Sequence, residues 1–333
     1  MSNWQQHLRY DPLSPLLSSN HPCISYFTRR DLLDEVVGPI SDIWALPEPQ
    51  KILRKQREDG SWDCPGKKQD VYPPHHYSLV ETWKQFLVLV GKYEFTIEHP
   101  VARTAAEYLL SCQTDEGDIR GMIGNQYATY YTGAILSLLI QAGYQDEERV
   151  EKGMTWLLSM RQDDGGWTIP ILTADLPWKK QLELTGQYAE PIQPDRSQPF
   201  SHNWTGMVLR AFAVHPRYRT SNAARQAARL LKTRFFQADC YSSYQSADYW
   251  VKLDYPYWWN HLLAALDSIS MIEPDPDDRD IRLALDWFVE NQQDDGLWKT
   301  SYVTKTERED AKTQEKRWWI SLAICRVMKR IQN

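Results

Sequence analysis

Three stretches of this 333-residue chain repeat one phrase: QREDGSW at residues 56–62, QDDGGW at 162–167 and QDDGLW at 293–298. A weaker copy, QTDEGDI at 113–119, has Ile where the others have Trp. Self-similarity at a spacing of about 50–60 residues is typical of repeat architectures. The repeated phrase therefore predicts a fold built from similar helical units.

Each copy of the phrase follows an amphipathic segment such as residues 150–160, in which apolar residues recur at helical intervals. The glycine accepts the left-handed backbone that ends many helices. The Gln and Trp side chains are long enough to connect one repeat to its neighbour. We therefore expect the phrase to be structural and remote from any reacting centre.

A second, more apolar helix is predicted after each loop, at residues 77–91, 127–142, 202–214, 256–271 and 314–331. Residues 221–236 predict a further outer helix, and residues 28–46 a leading helix. No run alternates with period two, so strands are expected to be minor. The pattern predicts an all-α protein of about eleven helices that closes into an (α/α) toroid, with inner helices around a core and amphipathic helices outside.

The phrase resembles the QW motif of squalene and oxidosqualene cyclases, and the repeat that builds the β subunits of protein prenyltransferases. The closest matches are residues 152–167, with one extra residue before the Gln, and 288–298, which lack the leading Lys or Arg. The resemblance covers nearly the whole chain from about Gln50. It implies one toroid of five to six helical hairpins at residues 50–333, an N-terminal extension and leading helix at 1–49, and an isoprenoid or other apolar ligand.

Composition limits the remaining possibilities. A net charge of −6 without a basic block argues against a nucleic-acid partner. Five scattered cysteines indicate a reducing compartment. The sequence shows no signal-peptide pattern, and it has no run of about 20 apolar residues that could span a bilayer. We therefore expect a soluble, cytoplasmic protein with no transmembrane segment. Peripheral membrane contact and a partner protein stay open as alternatives.

The N-termini of the inner helices are expected to meet at one mouth of the barrel, where they favour anions such as diphosphate. Aromatic faces stabilise cations, as a carbocation cyclase requires. The residues predicted to bind substrate there are His76, Tyr130, Tyr131, His202, Trp204, Tyr257, Trp258 and Trp318. The alternative for each is a packed core residue.

Three residues are candidates for catalysis. Asp254 precedes the predicted helix 256–271, and His261 lies about two turns further on. A carboxyl group with a neighbouring imidazole could act as a general acid, with Glu81 as the next candidate. In the alternative reading, Asp254 caps the helix and His261 is a core residue.

Two other motifs are interpreted as structural. Residues 275–278, DPDD, match the Asp-x-Asp-Asp proton-donor motif of class II cyclases, but they fall in a turn at the other end of the barrel and predict an N-cap. Asp63-Cys64 and Asp239-Cys240 lack the zinc-ligand spacing of prenyltransferases, so we expect no metal and no cofactor. A metal site formed by Cys64 with His75 or His76 remains an alternative, since thiolate and imidazole are zinc ligands.

The long insertion at residues 168–199 interrupts the repeat and is interpreted as a lid over the cavity, with a partner contact or a packed loop as alternatives. The function expected from the sequence is a terpenoid cyclase-like or prenyltransferase-like protein acting on an isoprenoid. The main alternative is a non-catalytic toroid that binds a partner protein or an apolar ligand. A third is a glycosidase, which would need two carboxylates at one mouth.

Overall fold

The computed structural model describes residues 3–241, 246–302 and 311–332. The five inner helices are α5 (His76–Tyr93), α7 (Thr129–Leu139), α11 (His202–Val214), α13 (Leu262–Ile272) and α15 (Ala311–Gln332). The five outer helices are α4 (Pro47–Leu53), α6 (Pro100–Ser111), α8 (Glu148–Ser159), α12 (Asn222–Lys232) and α14 (Arg279–Glu290). Five shorter helices are α1 (Leu13–Leu17), α2 (Pro22–Phe27), α3 (Ser41–Trp44), α9 (Pro170–Thr173) and α10 (Trp178–Gly186).

The inner helices form a closed ring. All five contribute residues to one central cavity. Between the last and first of them, Lys92 on α5 donates to Glu315 on α15 over 2.8 Å. The predicted all-α toroid is therefore confirmed. Across the described residues, the only strand is the four-residue β1 (Met122–Asn125), and no helix is long and apolar enough to cross a bilayer.

The repeated phrase joins the helices around it. In the 162–167 copy, the backbone N–H of Trp167 donates to Thr205 on the following inner helix, and its indole N–H donates to Leu157 O on the preceding outer helix. In the 113–119 copy, Gln113 Nε2 donates to Arg149 O on the next outer helix over 2.8 Å. The 162–167 copy thus joins an inner helix to an outer helix, and the 113–119 copy connects one repeat to the next, as predicted.

The N-terminal segment closes the ring of repeats. Gln292 Nε2 donates to Tyr10 O, and its Oε1 accepts the backbone N–H groups of Arg9 and Tyr10. The Gln that makes the connection in the last phrase is therefore Gln292, and the prediction that placed it at Gln293 is wrong by one residue. Gln293 binds only its near neighbour Asn291 through its side chain. The segment before α1 occupies the place that the next outer helix takes in other repeats.

Two other expectations about the helices have clear outcomes. The leading helix at 28–46 is wrong: a π-helical turn ends at Leu32, and only α3 forms later, because Gly38 and Pro39 interrupt the segment. The N-cap at the end of DPDD is confirmed, since Asp278 Oδ1 accepts the N–H groups of Asp280 and Ile281 at 3.0 Å.

Candidate functional site

Aromatic side chains fill the half of the barrel next to the inner-helix N-termini. Tyr130 packs against Tyr131 and Trp204 with ring centroids 4.2 and 4.5 Å away. Trp83 packs against Tyr131 at 5.0 Å and Trp258 at 4.5 Å. These contacts combine predicted substrate-binding residues into a packed cluster with Trp83, a residue that the sequence analysis did not single out.

The chain itself crosses the barrel at residues 254–261, which we call the crossing segment. The inner helix predicted to begin at residue 256 begins instead at Leu262, with His261 as its N-cap. Arg210 on α11 holds this segment by donating to Tyr257 O and Trp259 O, both at 2.7 Å. The side chains of the segment reach across the lumen, whereas a helix beginning at Pro256 would keep them at the wall of the barrel.

On the other side of the crossing segment lies a cavity of about 690 Å³, between the C-terminal halves of the inner helices. Its apolar wall includes Leu87, Val90, Leu138, Ala213 and Met271. The mouth predicted from the sequence was at the opposite, N-terminal end of these helices. This cavity therefore lies away from the predicted ring, although Tyr257 borders it.

Charged residues surround this cavity. Its lining contains the cations Arg30, Arg210, Arg326, Lys329 and Arg330, and the anions Asp31, Asp34, Glu94 and Asp267. Ion pairs join most of them: Arg30 to Glu94 and Asp31, Arg326 to Asp31, Lys329 to Asp34 and Arg330 to Asp267. Sequence reasoning missed this set, which matches no motif.

Asp31 illustrates the electrostatics of these pairs. Burial raises the pKa of its carboxyl group, but the charges and hydrogen bonds of Arg326 and Arg30 outweigh burial and lower it below its usual value. The Asp31 carboxylate is thus kept ionised at neutral pH.

A smaller pocket of about 180 Å³ lies on the N-terminal side of the crossing segment. It is lined by Asp254, Trp258, His261 and the buried amides of Asn203 and Asn260. Burial raises the pKa of Asp254, although its carboxylate accepts the N–H of Tyr255. The two predicted catalytic residues therefore share one pocket.

Their contact differs from the predicted pairing of two side chains. His261 Nε2 lies 3.2 Å from the backbone carbonyl oxygen of Asp254, while its Nδ1 accepts the N–H of Ala264. Burial, with a smaller effect from Arg210, lowers the pKa of His261 to about 3. The imidazole is therefore neutral, and it contacts the backbone oxygen of Asp254 rather than the carboxyl group.

The remaining candidates lie elsewhere around the barrel. Glu81 is buried on α5, accepts from Gln85 at 2.6 Å and lies 3.8 Å from Lys84. His76 Nδ1 lies 2.8 Å from Gly121 O at the N-terminal rim. Trp318 is half-buried against the core.

His202 is buried against Trp250, with ring centroids 4.6 Å apart. Burial lowers its pKa to about 4, opposed by the charge of Asp239 3.7 Å away. Asp239 itself accepts from Ser201 and the backbone of Asn203 at the start of α11. The Asp239 carboxylate thus binds the N-terminal end of α11. Among the described residues, no cluster of three His, Cys, Asp or Glu residues could hold a metal ion.

The insertion at 168–199 lies on the N-terminal side of the barrel. Gln126, just after β1, accepts from the backbone of Ile192 and donates to Glu190 O, and Tyr72 donates to Gly186 O. These contacts hold the insertion beside the ring of residues predicted at the inner-helix N-termini and away from the larger cavity, so its role as a lid on that side stays a prediction.

Comparisons with known proteins agree with the resemblance. Residues 75–171 match the family model of the squalene-hopene cyclase C-terminal domain. A crystal structure of a protein from Actinoplanes is 15% identical over 89% of this chain and 100% of its own, with a TM-score of 0.30. The apo type II terpene cyclase MstE from Scytonema is 13% identical over 87% of this chain and 98% of its own, with a TM-score of 0.29. No curated protein matches this chain.

The matched region contains two inner helices, α5 and α7, two outer helices, α6 and α8, and two copies of the phrase. The squalene cyclase resemblance predicted from the repeated phrase is thus confirmed: over residues 75–171 the chain is similar to the squalene-hopene cyclase C-terminal domain.

Proposed function

We propose that this chain binds an isoprenoid or another apolar chain in its central cavity. The observation that carries the proposal is the convergence of all five inner helices on one space of about 690 Å³. This volume falls within the range of about 300–1,000 Å³ that is usual for small-molecule sites. Leu87, Val90, Leu138 and Met271 supply an apolar wall for such a ligand.

The family match supports an isoprenoid as the ligand. Residues 75–171 are similar to a domain named for squalene–hopene cyclisation, so isoprenoids are the first class to test. Charged residues such as Arg30, Asp31 and Lys329 line the same cavity as the apolar wall, an arrangement that suits an amphiphile better than a pure hydrocarbon.

Binding is better supported than acid-initiated cyclisation in this cavity. An alkene is protonated by a carboxyl group that holds its proton at neutral pH, whereas Asp31 is kept ionised by two arginines. Asp34 and Asp267 are likewise in ion pairs with Lys329 and Arg330. An ion pair stabilises the ionised form of a carboxyl group, whereas a general acid must hold its proton.

Acid chemistry at Asp254 is the second candidate. Its support is the raised pKa of this half-buried carboxyl group and its place beside Trp258 in the smaller pocket. Asp254→Asn should abolish turnover of an isoprenoid if this candidate is right, while leaving ligand binding in the central cavity intact. Unchanged product formation in that variant would exclude Asp254 as the acid.

The binding proposal is tested by mass spectrometry of an organic extract from the purified protein, followed by titration with C10, C15 and C20 prenyl alcohols. Ala134→Phe places a ring in the cavity wall, whereas Ala223→Phe places one on the outer helix α12. Binding that Ala134→Phe weakens at least tenfold and Ala223→Phe leaves unchanged supports the cavity. No binding by any prenyl chain, or equal effects of both variants, would reject it.

A further inference from the structure

Arg210 differs from every other cation in the cavity lining. Arg30, Arg326, Lys329 and Arg330 each form an ion pair with a carboxylate. The guanidinium of Arg210 instead donates to two backbone carbonyl oxygens, and no ion pair joins it to a carboxylate among the described residues. Asp267, the acidic residue of the neighbouring helix α13, is bound by Arg330.

The donors of Arg210 are not all used. The side chain is 8% exposed, and its Nε–H has no hydrogen-bond partner. Burial lowers its pKa to about 10, so the group still carries its charge at neutral pH. The charge of Asp267 attracts that of Arg210 without forming an ion pair with it. A buried charge outside any ion pair, and a buried donor without an acceptor, each cost free energy that a suitable ligand would recover.

A second unused donor lies at the same end of the cavity. The indole N–H of Trp83, which also lines the cavity, has no partner and is buried. Both residues border the crossing segment, since Trp83 packs on Trp258 and Arg210 binds Tyr257 O. The end of the cavity beside the crossing segment is therefore lined by two residues with an unpartnered donor, one of which carries a positive charge outside any ion pair.

We propose, on the basis of the binding function above, that Arg210 binds the carboxylate of a monoanionic amphiphile whose apolar chain lies against the wall of the cavity. One unpaired cation matches one negative charge. A diphosphate carries more charge than Arg210 alone balances, and the other cations of the lining are already paired. A prenyl carboxylic acid and a fatty acid share the required chemistry.

The experiment compares ligands that differ only in their head group. Dissociation constants are measured by isothermal titration calorimetry for farnesoic acid, farnesol and farnesyl diphosphate, and for palmitic acid and hexadecanol. The full-length wild type is expected to bind at least one acid tenfold or more tightly than its alcohol. The acid that binds more tightly identifies the chain as prenyl or saturated.

Variants then assign the preference to one side chain. Arg210→Met should abolish the preference of acid over alcohol, and Arg210→Lys should retain at least part of it because the charge remains. Arg161→Met is the control, since Arg161 is half-buried and, like Arg210, lies over an aromatic ring and donates to a backbone oxygen, but lies outside the cavity lining. Circular dichroism checks that each variant is folded.

Each result decides between two conclusions. Equal binding of acid and alcohol by the wild type, or tighter binding of the diphosphate, would overturn the carboxylate site while leaving apolar binding standing. A full acid preference in Arg210→Met would overturn the role of Arg210. Failure of every acid and alcohol to bind the wild type would reject the carboxylate site together with the proposed function. The comparison of wild-type ligands holds even if Arg210→Met does not fold.

Discussion

The indole N–H of Trp298 donates to the backbone carbonyl oxygen of Phe288 over 2.7 Å, ten residues earlier in the chain. Trp62 and Trp167 make the same contact with carbonyl oxygens ten residues before them. The last turn of an outer helix leaves carbonyl groups without intrahelical partners, and the indole satisfies one of them. The Trp of the phrase therefore binds the end of the outer helix through its N–H, and its large ring adds buried apolar surface.

Replacing Trp298 by Phe should destabilise the protein by about 1–3 kcal/mol, because the buried Phe288 oxygen loses its donor and the smaller ring leaves space. Urea unfolding followed by circular dichroism measures the change. Trp178→Phe is the control, since Trp178 is 70% exposed on α10. Equal stability of the two variants would show that the Trp298 contact does not hold the last repeat.

The neighbouring glutamines Gln292 and Gln293 provide a sharper comparison. Gln292 is buried and bridges Tyr10, Arg9 and Gly296, whereas the Gln293 side chain binds only Asn291. Gln292→Leu should cost about 1–3 kcal/mol, since it leaves several N–H and C=O groups unpaired, and Gln293→Leu less than about 0.5 kcal/mol. The pair is compared by urea unfolding, and limited proteolysis should show earlier cleavage near residue 10 in Gln292→Leu. Indistinguishable behaviour of the two variants would contradict the closure of the ring by the N-terminal segment.

The repeat and the alternation of helices were predictable because both are local. The period of apolar residues places α11 at residues 202–214, as predicted. The crossing segment was not predictable from Pro256, which suits the first turn of a helix as well as a loop. What decides between them is the distant Arg210, which binds Tyr257 O and Trp259 O.

The larger cavity escaped prediction for a related reason. Its charged residues come from helix ends and from the segment near Asp31, with no shared motif. One signal was present in the sequence: Arg210 is the only Asp, Glu, Lys or Arg of α11, within a mostly apolar and buried run. A lone charge in an inner helix is costly to bury and indicates a specific partner.

Glu315 should make the stability of the ring depend on pH. Hydrogen bonding from His21 and the charge of Lys92 outweigh burial and lower the pKa of Glu315 to about 2. Because this pKa is lower in the folded state than the ordinary value of 4.5, the contribution is present above about pH 4.5 and is lost as the pH falls toward 2.

The measurement is the free energy of unfolding at pH 7 and pH 3. Glu315→Gln should reduce the difference between the two pH values, whereas Glu98→Gln, at an exposed position, should leave it as in the wild type. If Glu315→Gln retains the full wild-type difference, other carboxylates account for the acid sensitivity.

The close packing of α7 on α11 depends on Gly133. A Cβ atom at this position would lie 2.6 Å from Val208 Cα, a backbone atom that cannot rotate away. Gly133→Ala should therefore separate the two inner helices and cost at least about 2 kcal/mol, despite the higher helix propensity of Ala. Gly186→Ala at the end of α10 is the matched control, because nothing lies within 4 Å of its added Cβ. Thermal unfolding compares the two, and a wild-type melting temperature for Gly133→Ala would mean that α7 and α11 can move apart freely. Since both helices line the central cavity, the same variant should also weaken binding of a prenyl chain there, which titration of the folded fraction would detect.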